Sequence, residues 1–211
     1  MQAIWYFDVI SPYAYLALDE IEEMARSAPI TYRPILFAGL LKHHGQLGPA
    51  EIPTKRTHTY RLCAFEAQRR GVPFKFPPSH PFKPLRALRL LCEVDGDPRI
   101  TRRVFDHIWR EGNDPNDDGS WDRLLKELDL EARAPASTPQ DLRENTAEAV
   151  EVGAFGVPTL RVGKEIFWGV DALAMARAYI AEPTLFEKGE LGRLASVDNP
   201  LSAPARGPQM V

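Results

Sequence analysis

The sequence predicts an α/β fold in which a single sheet, with helices on both faces, is interrupted by a long helical insertion. Strand-like and helix-like segments follow one another as β-α-β over residues 2–36 and as β-β-α over residues 159–181. Helical periodicity dominates residues 37–152, between these two units. One interrupted sheet, covered by helices, accommodates this order.

The β-α-β unit begins with residues 2–9, which are dense in aromatic and β-branched side chains, as expected of a buried strand. Pro12 follows where the first turn of a helix accepts proline, because the missing N–H would have no partner inside the helix. Apolar side chains then recur at a helical period over residues 13–26. Pro29 ends this helix, and residues 30–36 have the pattern of a second strand.

The middle of the chain is predicted to be helical. Its helical windows are separated by Pro, Gly and Asn-Asp breakers and cover residues 57–71, 84–95, 99–112, 120–129 and 139–152. The last window has a recognisable start, with Thr138 as N-cap, Pro139 in the first position and Asp141 where the helix dipole favours a carboxylate.

The C-terminal part is predicted to form a hairpin and a final helix. β-prone residues 159–162 and 166–168 flank a turn at Gly163-Lys164, and the helix spans roughly residues 171–181. Residues after about 196 are rich in Pro, Ser, Ala and Gly, which predicts a disordered tail.

These segments predict three parts. They are a discontinuous α/β domain of residues 1–36 and 153–196, a helical insertion domain of residues 37–152, and a disordered tail of residues 197–211.

Composition and charge exclude several function classes. The net charge of −3 gives no reason to expect nucleic acid or an anionic membrane surface as a partner. No apolar run approaches the roughly 18 residues of a membrane span, and the N-terminus lacks the pattern of a signal peptide. The two cysteines, Cys63 and Cys92, form neither a Cys-x-x-Cys motif nor a zinc-ligand spacing. We therefore expect a cytoplasmic protein with reduced thiols and no metal site.

Two distant segments carry the chemistry. The first strand runs directly into Ser11-Pro12-Tyr13 at a helix start, and Gly156-Val157-Pro158-Thr159 precedes the predicted hairpin. A helix N-terminus met by a Val-Pro-Thr loop resembles the plan of a thioredoxin-like active site, whose redox form carries Cys-x-x-Cys at the helix start. With Ser11 in place of the first cysteine, any thiol used here is predicted to come from a bound molecule.

Ser11 has two interpretations. Its hydroxyl could cap the helix ahead of Pro12, as serine commonly does. Alternatively, it could donate a hydrogen bond to a thiolate of a ligand, at a helix end that favours negative charge.

Pro158 also has two interpretations. Most X-Pro bonds are trans, so an ordinary trans turn is one of them. A cis bond in a thioredoxin-like arrangement would leave the backbone of Val157 free to pair with an extended ligand.

Four motifs resemble one family in order and spacing over nearly the whole chain except the tail. They are residues 6–17 around Ser11-Pro12-Tyr13, residues 45–55 with Gly48-Pro49 and Pro53-Thr54-Lys55, residues 153–159, and Phe167-Trp168-Gly169-Val170-Asp171. They resemble the 2-hydroxychromene-2-carboxylate isomerases and the kappa-class glutathione transferases. The resemblance implies a thioredoxin-like domain with a helical insertion, usually dimeric, that uses glutathione.

The resemblance also implies roles for individual residues. Ser11 would hydrogen-bond the glutathione sulfur, and Val157, before Pro158, would pair with the cysteinyl backbone of the tripeptide. Asp171 would lie near the α-ammonium group of the γ-glutamyl end, and Lys55 would approach glutathione and substrate as a cation.

Three positions depart from the family pattern. Gln46 would bind the tripeptide where kappa-class enzymes tend to carry Asn. Val170 replaces a Ser or Asn that often precedes the Asp, and Lys83 stands where isomerase-like relatives often have Asn.

The expected function is a glutathione-dependent isomerase in which a thiolate adds reversibly to a conjugated aromatic carbonyl substrate, with Ser11 and Lys55 as the catalytic residues. A kappa-like glutathione transferase or peroxidase is the alternative, and a non-catalytic thiol- or peptide-binding module is a third. Asp8, at the end of the first strand, is either an acid/base group or a hydrogen-bonded turn residue, with the turn favoured. His43, His44 and His80 could act as acid/base groups, but their spacing indicates no metal site.

Overall fold

The computed structural model describes residues 1–131 and 139–198, and within them the α/β prediction is confirmed. The strands are Ala3–Phe7 (β1), Ile30–Pro34 (β2), Thr159–Val162 (β3) and Glu165–Trp168 (β4). The α-helices are Pro12–Ala25 (α1), Phe37–His44 (α2), Pro53–Arg70 (α3), Leu85–Glu93 (α4), Pro98–Phe105 (α5), Asp118–Glu127 (α6), Pro139–Glu151 (α7), Leu173–Ala181 (α8) and Gly189–Arg193 (α9). Short 3-10 turns cover Pro49–Glu51, Leu185–Glu187 and Leu194–Ser196.

The sheet has the order β2-β1-β3-β4, with β1 parallel to β2 and antiparallel to β3. All five residues of β1 are buried. Successive side chains of a strand point to opposite faces, so both faces of β1 must be covered. On one face Trp5 and Phe7 stack with ring centroids 4.4 Å apart, and Phe7 lies 5.6 Å from Phe105 of α5.

The other face of β1 packs against different helices, from the part of the chain between β2 and β3. Ile4 and Tyr6 share a buried cluster with Leu40 of α2 and Ala149 of α7. Val157, from the loop before β3, belongs to the same cluster. Helices therefore cover both faces of the central strand, and this core also anchors the Val157 loop.

The structure corrects the ends of the first unit. The first strand stops at Phe7 rather than residue 9, because the carboxylate of Asp8 accepts the Ile10 N–H at 3.0 Å and turns the chain. Helix α2 was not predicted. It is short and carries Gly39, where a Cβ would lie 2.8 Å from Thr146 Cγ2. Glycine at this position reflects close packing on α7, which local patterns do not reveal.

Other boundaries also differ. The window predicted from residue 57 begins at Pro53, which occupies the first helical turn. The single helix predicted over residues 99–112 is α5 followed by a π-helical turn, Asp106–Arg110. Helix α9 was not predicted. The expected cap at Thr138 and most of the expected tail, residues 199–211, lie outside the described residues.

Contacts divide the chain into two compact units, residues 1–176 and residues 177–211, the latter described as far as residue 198. The finer division into residues 1–36 with 153–196 and an insertion of residues 37–152 stays a prediction. No α-helix in the described part of the chain has the length and apolarity needed to cross a bilayer. The same part contains no cluster of His, Cys, Asp and Glu suited to hold a metal ion.

Candidate active site

The N-terminus of α1 is shaped by Ser11. Its backbone is extended (φ −88°, ψ 114°), and its hydroxyl oxygen accepts the Ala14 N–H at 3.2 Å. The structure therefore shows the capping interaction of Ser11, and its role as a donor to a ligand thiolate stays a prediction. The first turn offers few other donors, because Pro12 has no N–H. Among the described residues the Tyr13 N–H has no hydrogen-bond partner, so it is available to an anion at this helix end.

The Val157–Pro158 peptide is cis and lies beside Ser11. The Ser11 hydroxyl is 3.5 Å from the Val157 carbonyl oxygen, although the two residues are 146 positions apart. This distance is long for an O–H···O hydrogen bond, which is usually about 2.7–2.8 Å. The Ser11 proton is therefore weakly engaged and can turn to a stronger acceptor.

The Val157–Pro158 loop is held at both ends. The Thr159 hydroxyl donates to the Gly156 carbonyl at 2.8 Å, and the Gly169 N–H donates to the Pro158 carbonyl at 2.9 Å. The Val157 N–H has no partner within residues 1–131 and 139–198. A rigid loop with an unpaired N–H suits the pairing of an extended ligand backbone.

An aromatic pair flanks this loop. Trp168 is 52% exposed and lies 5.1 Å from Phe155, measured between ring centroids. A Cβ at Gly156 would meet Trp168 Nε1 at 2.4 Å, so only glycine lets the indole cover the backbone here. Trp168 presents an exposed aromatic surface next to Val157.

Asp171 is exposed and has no hydrogen-bond or ion-pair partner among the described residues. Its charge acts on Tyr13: the pKa of Tyr13 is raised by burial, then by Cys63 and Glu66, and then by Asp171. Asp171 therefore lies on the Tyr13 side of the helix mouth. Gly169, at φ +89°, permits this placement, because a Cβ there would lie 2.6 Å from the Asp171 carboxylate.

The structure does not connect Lys55 or Gln46 to Ser11 by any contact. Lys55 lies exposed in the first turn of α3, and Gln46 lies exposed after α2, where its N–H donates to the Leu41 carbonyl at 2.9 Å. The proposed site thus has an inner part, formed by Ser11, Val157 and Pro158. Its outer part consists of the exposed side chains of Lys55, Gln46 and Asp171.

Neither cysteine supplies a thiolate. Burial raises the pKa of the Cys63 thiol to about 12 and that of Cys92 to about 11. A protonated thiol is a poor nucleophile, and neither cysteine lies in the first turn of α1.

Asp8 is a turn residue, as favoured from the sequence. It is fully buried, and its carboxylate accepts the N–H groups of Ile10 at 3.0 Å and Phe37 at 2.9 Å. Burial raises the pKa of Asp8 to about 7, against the lowering effect of these two hydrogen bonds. Asp8 joins the loop before Ser11 to the start of α2.

Two side chains outside the sequence motifs also hold the loop of residues 8–11, one directly and one through His80. Trp109 donates its indole N–H to the Val9 carbonyl at 2.8 Å, and Tyr60 hydrogen-bonds His80. No local signal marks either residue, since each lies in a helical window far from Ser11.

Comparison with known proteins confirms the resemblance. The chain is 28% identical to the glutathione S-transferase kappa 2 of Caenorhabditis elegans over 206 residues, covering 85% of this chain and 91% of that protein. It is 29% identical to a 2-hydroxychromene-2-carboxylate isomerase of Pseudomonas putida over 185 residues, covering 81% and 90%.

Solved structures confirm the fold. A 2-hydroxychromene-2-carboxylate isomerase superposes with a TM-score of 0.72 at 24% identity, over 93% of this chain and 98% of that one. The cytosolic disulfide reductase DsbM of Pseudomonas aeruginosa, in a structure with GSH, superposes with a TM-score of 0.54 at 17% identity, with the same coverage. A family model described as the DSBA-like thioredoxin domain matches residues 3–181, and the chain therefore belongs to the DSBA-like thioredoxin domain family.

Proposed function

We propose that this protein is a glutathione-dependent isomerase of the 2-hydroxychromene-2-carboxylate type, acting on a conjugated aromatic carbonyl substrate. One observation carries the proposal: the weakly engaged Ser11 hydroxyl lies at the α1 N-terminus, 3.5 Å from the Val157 carbonyl. This is the position of a reactive thiol in redox-active relatives of the fold, and the chain has no thiol of its own there. The names of the curated relatives support the same chemistry.

The residues present fit glutathione. The unpaired N–H of Val157, in the loop with Pro158, suits the cysteinyl backbone of the tripeptide. The free carboxylate of Asp171 suits an α-ammonium group. The Gln46 side chain is exposed and can hydrogen-bond the tripeptide from the α2 side.

Bound glutathione would supply a nucleophilic thiolate that adds to the substrate, permits rotation about the former double bond, and leaves again. Ser11 donates its hydroxyl proton as a hydrogen bond to the anionic sulfur. The unpaired Tyr13 N–H and the dipole of α1 lower the pKa of a thiol held there. Lys55 stabilises negative charge on the carbonyl oxygen and holds a substrate carboxylate. The exposed rings of Trp168 and Phe155 form an apolar wall suited to an aromatic ring.

A kappa-like glutathione transferase or peroxidase is the second candidate, because it needs the same activated thiolate and one named relative is a kappa transferase. A non-catalytic thiol- or peptide-binding module is the third. Addition of the thiolate to the substrate gives a thioether. An isomerase breaks this thioether again and frees glutathione, whereas a transferase releases it as the conjugate.

Calorimetry with glutathione, followed by two activity assays, separates these functions. The first assay offers 2-hydroxychromene-2-carboxylate with and without glutathione, and the second offers a chlorinated aromatic acceptor. We expect glutathione binding and isomerisation that stops when glutathione is omitted. Conjugate release without isomerisation would establish the transferase, and absence of glutathione binding would leave only the binding module.

We further propose a cytoplasmic homodimer. The exposed apolar side chains Leu62 and Phe65 on α3 suit a contact with a second copy. Light scattering of the wild type and of Phe65→Lys tests this, with a monomeric wild type contradicting it.

A further inference from the structure

The loop that delivers Ser11 is held by two side chains from distant segments. The indole N–H of Trp109 donates to the Val9 carbonyl at 2.8 Å, and His80 Nε2 lies 2.9 Å from the Ile10 carbonyl oxygen. The Ile10 carbonyl belongs to the peptide unit whose nitrogen is that of Ser11. A change in the His80 contact therefore acts directly on the backbone of Ser11.

The hydrogen bonds define the tautomer of His80. A carbonyl only accepts, so His80 Nε2 must carry the proton that it shares with Ile10. Burial lowers the pKa of His80, against the raising effect of the Ile10 bond, so the neutral ring leaves Nδ1 as an acceptor. The Tyr60 hydroxyl lies 2.7 Å from Nδ1 and 2.6 Å from the His80 carbonyl, and it donates to this pair of acceptors.

The His80 ring is also confined sterically. Its centroid lies 5.2–6.0 Å from the rings of four aromatic side chains, namely Tyr60, Phe76, Phe82 and Trp109. A ring packed on several sides keeps one rotamer, so its Nε2–H points in a constant direction.

Tyr60 extends the connection to another helix. It lies on α3, the helix whose first turn carries Lys55. Contacts run from α3 through Tyr60 and His80 to Ile10. They therefore fix the helix that carries Lys55, the cation proposed to meet the substrate, against the loop that leads to Ser11, the proposed hydrogen-bond donor to the sulfur.

We propose that His80 is a positioning residue for Ser11, and that Tyr60 holds the His80 ring in the orientation this requires. The inference rests on the proposed function, since its consequence for activity is a consequence for glutathione-dependent turnover. His80 touches neither of the proposed reactants. It acts through the Ile10–Ser11 peptide.

Four variants test the proposal. His80→Phe keeps a packed ring and removes both nitrogens, whereas His80→Gln keeps one N–H donor at a similar reach. Tyr60→Phe removes only the hydroxyl. Tyr15→Phe is the matched control, because the Tyr15 hydroxyl donates to the Pro73 carbonyl at 2.8 Å and does not contact Ile10. It therefore anchors residues 73–84, the proline-rich segment that also contains His80.

We expect kcat of the glutathione-dependent reaction to fall roughly tenfold in His80→Phe and Tyr60→Phe, below the hundredfold that a misplacement of about 1 Å costs. KM for glutathione should change by less than about threefold, because Val157 and Asp171 are untouched. His80→Gln should recover most of the lost kcat. The kcat of Tyr15→Phe should stay within about twofold of that of the wild type, although its melting temperature should fall about as much as that of His80→Phe. Equal kcat values for His80→Phe and Tyr15→Phe, or no recovery in His80→Gln, would overturn the proposal.

Amide hydrogen exchange without glutathione separates this inference from the proposed function. The Ala14 and Tyr15 amides donate to the Ser11 carbonyl at 3.1 and 3.3 Å, so their exchange reports the position of Ser11. We expect faster exchange at both amides in His80→Phe than in the wild type, and unchanged exchange at the Ala14 amide in Tyr15→Phe. Unchanged exchange in His80→Phe refutes the positioning role, even in an active enzyme. Faster exchange in a protein that does not bind glutathione supports the positioning role and refutes only the proposed function.

Discussion

Replacing Ser11 by alanine separates the capping role of its hydroxyl from its proposed role at the sulfur. The substitution removes the hydrogen bond that Ala14 N–H donates to the Ser11 hydroxyl at 3.2 Å. The same N–H still donates to the Ser11 carbonyl at 3.1 Å. We therefore expect a loss in the free energy of unfolding at the low end of the capping range, about 0.5–1 kcal/mol.

The effect of Ser11→Ala on turnover should be larger. A hydrogen bond to a charged acceptor contributes roughly 1.5–3 kcal/mol, which corresponds to a roughly 10- to 150-fold loss of rate if it forms with the reacting thiolate. Glutathione affinity should fall less, because Val157 and Asp171 bind other parts of the tripeptide. The measurements are kcat, the glutathione Kd by calorimetry, and the thiolate absorbance of the complex as a function of pH.

Asp117→Ala is the matched control for Ser11→Ala. Asp117 caps α6 by accepting the Ser120 N–H at 2.7 Å, so its loss has a similar cost in stability. The control should retain full turnover. If Ser11→Ala slows the reaction no more than Asp117→Ala does, the hydroxyl has no part in the chemistry and its role is the cap alone.

Three further perturbations have defined outcomes. The pKa of Asp8 is about 7 in the folded protein, above its usual value, so its stabilising contribution is complete at low pH and is lost as pH rises from that usual value through 7. In denaturant unfolding, Asp8→Asn should reduce the slope of the free energy of unfolding against pH by up to about 1.4 kcal/mol per pH unit. An identical slope in the variant contradicts the assignment. Gly156→Ala places a Cβ 2.4 Å from Trp168 Nε1, so unfolding should become easier by about 1–3 kcal/mol with a shift in indole fluorescence, and a variant as stable as the wild type refutes the contact. Asp171→Asn should weaken glutathione binding roughly tenfold without lowering the melting temperature, since the side chain is exposed; unchanged affinity excludes it from the γ-glutamyl end.

Local patterns were sufficient for much of the fold. The β-α-β unit, the hairpin and most helices between β2 and β3 follow from hydrophobic period, from prolines at helix starts, and from turn residues, all of which act over a few neighbouring positions. The cap at Ser11 was predictable for the same reason, since capping depends on adjacent backbone N–H groups. The motifs around Ser11 and Val157 also indicated which two segments carry the site.

Contacts between distant residues decided the rest. Helix α2 forms where Gly39 can approach Thr146, and Trp168 lies on Gly156 with half of its surface exposed; neither local pattern nor composition reports such packing. The sequence by itself determined that a serine begins the first helix and that a Val-Pro-Thr loop exists. Only the tertiary structure decided that Ser11 lies 3.5 Å from the Val157 carbonyl and that His80 supports the preceding peptide, because these distances depend on how separate elements pack around one core.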